Sequence, residues 1–183
     1  MEGKILRNTA SDLCSENTLD EKTLENEIFS AASKVVSLLA QKKMTVTTAE
    51  SCTGGMIGAA ITEIPGVSEF YREGVITYSN EAKMKFLGVK GETLEKFGAV
   101  SSRTAVEMAC GAAKSAQSDI AVAVTGIAGP GGDTREKCVG LVYICVKFGD
   151  NHRVEKHIFD GSRRIVRLKS TLCALNIVKK VLK

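Results

Sequence analysis

Residues 44–56, MTVTTAESCTGGM, contain the pattern that decides the fold class. Met44 to Thr48 is rich in β-branched residues, which predicts a strand. Small residues follow as far as Gly55 and predict a turn, and residues 56–64 then form a helical pattern that is ended by Pro65. Strand, turn and helix in this order are typical of an α/β domain.

Strand and helix patterns also alternate through the rest of the chain. Residues 120–124 form a continuous apolar run, which is typical of a strand covered on both faces. Two alternating segments, 139–147 and 151–159, predict an antiparallel pair. The expected fold class is α/β, a single three-layer α/β/α domain with a mixed β-sheet over residues 24–183. The other predicted elements are a strand over 74–78 and helices over 24–42, from about 80, over 90–97, over 102–116 and over 163–182.

The N-terminal segment differs in composition from the rest of the chain, because residues 1–23 are polar and mixed in charge. We expect a flexible arm there, with Thr23 as the N-cap of the first helix. Charge is also uneven: residues 133–183 carry 12 Lys and Arg against 5 Asp and Glu, in a chain with a net charge of +4. A basic segment suits an anionic ligand, although lysines spread over a helix also form an ordinary solvated face.

Membrane and secretory classes are not indicated by the pattern of apolar residues. No apolar run approaches the ~20 residues that span a bilayer. The N-terminal sequence lacks the apolar segment of a secretory signal. We therefore expect a soluble, cytoplasmic protein that has no membrane partner.

Histidine is scarce, since the 183 residues include only His152 and His157. The two lie five positions apart in a predicted strand, so alternation points them to opposite faces. This argues against a zinc site built on several histidines and against a Ser-His-Asp triad. Any acid–base chemistry would need a lysine, a carboxylate or a tyrosine as proton acceptor.

Ser51 is the first candidate for chemistry, because it lies in the turn between a predicted strand and a predicted helix. The backbone N–H groups of Thr53, Gly54 and Gly55 lie at the helix start, where they can hold a phosphate or an oxyanion. Cys52 competes as nucleophile, since a helix N-terminus lowers the pKa of a thiol. The alternative is a helix cap whose small residues allow close packing, and the residues alone leave both open.

Two further segments can reach the same sheet edge. Tyr78 ends a predicted strand, and Lys83 lies in the first turn of the helix that follows. A desolvated lysine can be neutral near pH 7 and act as a base, and serine–lysine pairs are a known variant of the catalytic triad. Most lysines on helices, however, face solvent.

A glycine-rich segment, residues 125–132, follows the buried strand and can turn consecutive N–H groups toward an anion. It matches neither the P-loop nor the G-x-G-x-x-G pattern, and a plain connection explains it equally well. Arg163, at the start of the last predicted helix, can bind a phosphate with both arms of its guanidinium or remain an ordinary surface arginine.

Four ordered motifs together resemble one family. They are TAESCTGG (48–55), TYSNEAK (77–83), GAVS (98–101) and TGIAGP (125–130). In this order they are similar to the CinA carboxy-terminal domain family, over roughly residues 26–182, whose stand-alone form is nicotinamide mononucleotide deamidase. The resemblance implies an amidohydrolase that converts nicotinamide mononucleotide and water to nicotinate mononucleotide and ammonia, a step of pyridine nucleotide salvage.

By that similarity Ser51 is the nucleophile and Lys83 its general base, and Tyr78 lies nearby to orient or donate. The resemblance also implies that Thr125 and Gly126 line the nucleotide pocket.

It further implies that Arg163 holds the phosphate of a small-molecule nucleotide substrate, that no metal and no cofactor take part, and that the protein is a homodimer. Two positions depart from the family pattern. Cys138 stands where the family usually has proline, and Ser162 stands where it usually has Asp or Asn. Serine can still cap a helix, so the departure at Ser162 affects the fine position of Arg163 more than its role.

Two other function classes remain. One is a non-enzymatic nucleotide-binding or competence-associated module. The other is a nucleic-acid binder that uses the basic C-terminal third, and the scarcity of aromatic residues among the basic ones argues against it.

Overall fold

The computed structural model describes residues 10–183, with side chains described from Asp20 onward. Within this range one β-sheet is packed between helices on both faces. In chain order the elements are α1 (Ala10–Lys42), β1 (Val46–Glu50), α2 (Met56–Thr62), a 3₁₀ turn (Val67–Glu69), β2 (Tyr71–Ile76), α3 (Asn80–Leu87), α4 (Gly91–Phe97), α5 (Ser102–Ala116), β3 (Ile120–Gly126), β4 (Leu141–Phe148), β5 (Asn151–Ile158) and α6 (Arg163–Val181).

The sheet is mixed, as predicted. Its strand order is β2-β1-β3-β4-β5. β1 pairs in parallel with both β2 and β3, whereas β3–β4 and β4–β5 are antiparallel. The carboxyl ends of three parallel strands therefore meet at one edge of the sheet, where ligands tend to bind in open α/β folds.

The two faces of the sheet bury different side chains, which confirms the three-layer α/β/α domain. On one face, large aliphatic residues of the strands pack against α1, α2 and α6, with Leu39 and Leu175 fully buried. On the other face, alanines such as Ala121 and Ala123 pack against α5 around Met108. Because small side chains cover this second face, α5 lies close to the strands.

Some predicted boundaries are wrong. The first helix does not begin after Thr23, because α1 already begins at Ala10 and runs through part of the segment expected to be a flexible arm. Residues 1–9 of that arm lie outside the described residues, and the domain boundary stays a prediction. β2 ends at Ile76, so Tyr78 lies in the connection to α3 instead of at the end of a strand.

The acidic N-terminal part of the chain contacts the basic C-terminal helix. Arg164 of α6 binds the carboxylates of Glu21 and Glu25 on α1, with 2.8 Å between Arg164 Nε and Glu21 Oε2. These pairs are partly exposed, so each contributes little to stability. Among the described helices, none combines the length and the apolar character that crossing a lipid bilayer requires.

Gly111 of α5 fixes the distance between α5 and α3. A Cβ atom built on Gly111 would lie 1.9 Å from the carbonyl oxygen of Leu87, the last residue of α3. Backbone cannot yield to such a contact without moving a helix, so glycine is required there.

We expect Gly111→Ala to lower the free energy of unfolding by about 2 kcal/mol, since overpacking forces backbone shifts. Urea unfolding measures this change. Gly91→Ala on α4 is the matched control, because its added Cβ would meet only Met84 Sδ at an ordinary 3.9 Å. Equal stability of the two variants would contradict the close approach of α3 and α5.

Candidate active site

Ser51 lies at the carboxyl end of β1, in the middle of the parallel part of the sheet. Its backbone N–H donates to the carbonyl oxygen of Val124 on β3 at 3.0 Å. On the other side, the N–H of Thr77, just beyond β2, donates to the carbonyl oxygen of Glu50 at 2.8 Å. The start of the turn is thus held from both neighbouring strands, and Ser51 itself is 8% exposed.

The carboxylate of Glu50 occupies the N-terminus of α2. It accepts hydrogen bonds from the N–H groups of Gly55 at 3.0 Å, Ile57 at 3.1 Å and Gly58 at 2.8 Å. Glu50 is 1% exposed. Its negative charge is therefore stabilised by unpaired amide donors and by the helix dipole instead of by a basic side chain.

This arrangement changes the predicted role of the turn. The N–H of Gly54 donates to the carbonyl oxygen of Ser51, and that of Gly55 donates to Glu50. The carbonyl oxygen of Thr53 accepts a hydrogen bond from Arg167 Nη2 at 2.7 Å. Thr53, Gly54 and Gly55 lie next to Ser51 but do not line the cavity that it shares with Lys83.

Lys83 contacts Ser51 directly. Ser79 caps α3 by accepting from the N–H of Ala82, and Lys83 follows one turn into the helix. Lys83 Nζ lies 3.1 Å from Ser51 Oγ and donates to the carbonyl oxygen of Thr77 at 2.7 Å. The expectation that most helical lysines face solvent does not apply, because Lys83 is only 1% exposed.

The surroundings of Lys83 favour its neutral form. Burial lowers the pKa of its ammonium group below the usual 10.5, and the nearby Cys52 thiol opposes this shift in part. Within residues 20–183, no carboxylate lies within ion-pair distance of Nζ. A neutral amine can donate to Thr77 and accept the proton of the Ser51 hydroxyl.

Cys52 differs from the expectation for a thiol near a helix start. Burial raises the pKa of its thiol to about 12, and the charge of Glu50 adds to that effect. Because Glu50 already occupies the helix N-terminus, the dipole is not available to stabilise a thiolate. Ser51, with Lys83 as its partner, is thus the better-placed nucleophile of the two.

These side chains open into a cavity of about 280 Å³. Ser51, Cys52 and Lys83 form one end of it, and the glycine-rich loop after β3 forms another wall. The remaining predicted site residues on the cavity wall are Tyr78, Thr125, Gly126 and Arg163.

Arg163 forms hydrogen bonds to two separate segments that line the cavity. Its Nη1 donates to the carbonyl oxygen of Gly129 at 2.8 Å, and its Nη2 donates to the hydroxyl of Tyr78 at 2.6 Å. Ser162 caps α6 by accepting from the N–H of Ile165 at 3.3 Å, so the departure from the family pattern keeps the cap. Tyr78 thus contacts Arg163, and the residue is 60% exposed.

The glycine-rich loop presents unpaired donors. The N–H groups of Ala128, Gly129, Gly131 and Gly132 have no hydrogen-bond acceptor among the residues that the structure describes. Gly129 and Gly132 have positive φ values of 85° and 93°, which only glycine adopts readily. Free amides on both sides of Pro130, beside an arginine, can bind an anionic group.

Thr125 supports the wall of the cavity through its side chain. Its Oγ1 donates to the carbonyl oxygen of Ala99 at 2.8 Å, which holds the segment before α5 against β3. Gly126 is required by packing, because an added Cβ would lie 2.7 Å from the carbonyl oxygen of Leu141. Both residues therefore shape the cavity.

The role of Glu50 was not predicted from the sequence, although the residue lies within the strand–turn–helix segment of residues 44–56. The available signal was a carboxylate at the end of a strand rich in β-branched residues, next to a helix start whose amides it can accept hydrogen bonds from. The role of the Thr77 carbonyl has no such signal in the sequence, since every residue has a backbone carbonyl group.

Comparison with known proteins gives one consistent result. The family model for the CinA C-terminal domain matches residues 28–182. A putative competence-damage inducible protein of Clostridioides difficile is 46% identical over 176 residues, which are 96% of this chain and 41% of that protein. A CinA-like protein of Kosmotoga olearia is 51% identical over 148 residues, 81% of this chain and 36% of that protein. The chain thus spans about two fifths of the length of these curated relatives.

Solved structures agree with the sequence comparison. The competence/damage inducible protein CihA from Agrobacterium tumefaciens has a TM-score of 0.82 and 43% sequence identity, covering 85% of this chain and 95% of that one. A CinA superfamily protein from Enterobacter cloacae has a TM-score of 0.83 and 30% identity, covering 100% of this chain and 99% of that one.

Glu50→Gln should destabilise the fold by about 2 kcal/mol, since an amide NH₂ replaces one oxygen that accepts charge-assisted hydrogen bonds. Urea unfolding measures the loss. Glu63→Gln, at the exposed far end of α2, removes the same charge without such bonds and is the control. If the two variants unfold alike, Glu50 does not hold the turn.

Replacing Lys83 by methionine should change how stability depends on pH. The lowered pKa means that folding the wild type carries a desolvation penalty below that pKa, and the penalty disappears as pH rises toward 10.5. The stability of Lys83→Met relative to wild type should therefore be highest near about pH 7 and should fall toward about pH 10. Urea unfolding at both pH values tests this, with Lys85→Met, an exposed lysine of the same helix, as control. A relative stability that rises with pH would contradict a neutral buried lysine.

Proposed function

The chain belongs to the CinA C-terminal domain family, and on that premise we propose that it is an amidohydrolase acting on nicotinamide mononucleotide. The products are nicotinate mononucleotide and ammonia. The names of the relatives refer to competence-damage inducible and CinA-like proteins, and the activity is our inference for this chain.

One observation carries the proposal: the 3.1 Å contact between Lys83 Nζ and Ser51 Oγ in a buried setting. A serine hydroxyl is a weak nucleophile unless a neighbouring base accepts its proton. A lysine with a lowered pKa can supply that base without histidine.

The reaction proceeds in two halves. Ser51 Oγ attacks the carboxamide carbon while Lys83 Nζ accepts the hydroxyl proton. The C–N bond then breaks, Lys83 returns the proton to the leaving nitrogen, and ammonia departs from an acyl-serine. Water attacks this ester with Lys83 as base, and the proton returns to Ser51 as nicotinate mononucleotide is released.

In this proposal the substrate phosphate binds between Arg163 and the glycine-rich loop. Arg163 and the free amides of Ala128, Gly129, Gly131 and Gly132 supply positive charge and donors on the same wall. Tyr78, bonded to Arg163, positions the guanidinium. The oxyanion donors lie elsewhere than the amides of Gly54 and Gly55, because those two amides already have acceptors.

The cavity size favours a mononucleotide. Its volume of about 280 Å³ lies just below the range for small-molecule sites, ~300–1,000 Å³, and so suits a small ligand. A cytoplasmic location, a homodimer, and the absence of metal, cofactor, membrane and nucleic acid from the reaction remain part of the same proposal.

A non-enzymatic nucleotide-binding or competence-associated module is the second candidate. The free loop amides and Arg163 support nucleotide binding without chemistry, and relatives carry names that refer to competence. Such a module gives ligand-induced thermal stabilisation but no product. Nucleotide binding alone does not require a buried lysine in contact with a serine, so this candidate leaves the contact between Lys83 and Ser51 unexplained.

Ammonia release from nicotinamide mononucleotide tests the proposal. Ser51→Ala and Lys83→Ala should each lower kcat by at least ~100-fold, the scale of a lost general base. The double variant should lose little more, because two groups that act as a unit are not additive.

Cys52→Ala is the matched control for the neighbouring nucleophile and should retain turnover, since its thiol has a pKa of about 12. Thermal stabilisation of wild type by nicotinamide mononucleotide without ammonia would instead support the binding module. Wild-type turnover in Ser51→Ala would refute the serine mechanism.

A further inference from the structure

Three metal-binding side chains converge outside the cavity of Ser51 and Lys83. Glu155 and His157 lie two residues apart on β5, so alternation places them on the same face. Cys173 reaches them from α6. One carboxylate oxygen of Glu155, one ring nitrogen of His157 and Cys173 Sγ all lie within 4.8 Å of one another, and each residue is partly buried.

The contacts do not form a nucleophile–base relay. His157 Nε2 lies 3.1 Å from Glu155 Oε2 and 3.3 Å from Cys173 Sγ. A relay needs the thiol on one ring nitrogen and the carboxylate on the other. Here both partners face the same nitrogen, which has either one proton or one lone pair.

The distances fit a common central ion instead. Zinc bonds of ~2.0–2.3 Å at tetrahedral angles place a nitrogen and an oxygen ligand about 3.4 Å apart and a nitrogen and a sulfur ligand about 3.6 Å apart. The observed separations of 3.1 and 3.3 Å are shorter by only a few tenths of an ångström. Small side-chain rotations would therefore admit the ion.

Neighbouring residues already hold two of the three ligands in orientation. Arg153 Nε donates to Glu155 Oε1 at 2.8 Å, which leaves Oε2 toward His157. Phe159 stacks on the His157 ring with centroids 5.1 Å apart and planes 5° apart. Outer partners of this kind orient metal ligands in established sites.

Charge restricts the choice of ion. Lys169 and Lys180 line the adjoining cavity of about 330 Å³ and disfavour excess positive charge. The Glu155 carboxylate and the Cys173 thiolate together supply the two negative charges that balance a divalent cation. Sulfur, imidazole and carboxylate are the three ligand types that zinc accepts.

We propose that Glu155, His157 and Cys173 form a binding site for one Zn²⁺ ion that joins β5 to α6, with the fourth position open to the adjoining cavity. The thiol proton is released to solvent when the sulfur binds the ion. This site is independent of the proposed amidohydrolase activity, because it shares no residue with the cavity of Ser51.

Cobalt titration of the full chain, produced without a histidine tag, tests the site. Co²⁺ substitutes for zinc and reports thiolate ligation through a near-ultraviolet charge-transfer band. We expect one equivalent to bind with that band, and Zn²⁺ to displace it. Wild-type protein that shows no thiolate–cobalt band overturns the proposal without any variant.

Variants then assign the ligands. Cys173→Ser should abolish the band, and His157→Gln should weaken Co²⁺ binding at least ~10-fold, since even outer partners of metal ligands contribute 10–100-fold. Cys110→Ser and His152→Gln are matched controls, because Cys110 is also partly buried and His152 lies on the same strand. Both controls should bind like wild type, with circular dichroism confirming that every variant is folded. A band that survives in Cys173→Ser, or is lost in Cys110→Ser, refutes the assignment.

Discussion

The buried carboxylate of Glu50 is the constraint on which the site depends. A charge at 1% exposure is tolerated only with full compensation, and amide donors at the start of α2 supply it. Those bonds bind the helix to the end of β1 and thereby set the turn that carries Ser51. They also use the amide donors at the start of α2, so a substrate anion needs other donors. Burial raises the pKa of the Cys52 thiol, and the charge of Glu50 adds to that rise.

The parallel half of the sheet collects the remaining parts of the site. β1, β2 and β3 end at the same edge, which brings Ser51, the segment from Thr77 to Lys83, and the glycine-rich loop together. α6 returns across the sheet and adds Arg163 at its first turn. Residues far apart in sequence meet there because the carboxyl ends of neighbouring parallel strands lie side by side at one edge of the sheet.

A lysine base suits this architecture. The Thr77 carbonyl oxygen holds Lys83 Nζ without an orienting carboxylate, and burial lowers the pKa of its ammonium group. The buried carboxylate of Glu50 accepts three amide N–H groups at the start of α2. The proposed reaction therefore needs neither of the two histidines, and His157 contacts Cys173 of α6 outside the cavity of Ser51.

The sequence by itself determined the strand–turn–helix order, the mixed three-layer sheet and, through four motifs, the family to which the chain belongs. It also marked Ser51, Lys83 and Arg163, because residue type and position after a strand or at a helix start are local properties. Only the tertiary structure decided that Glu50 occupies the α2 amides, that Tyr78 pairs with Arg163, and that Glu155, His157 and Cys173 converge. Those outcomes depend on which donors and acceptors from separate elements meet in space, and that follows from packing instead of from spacing along the chain.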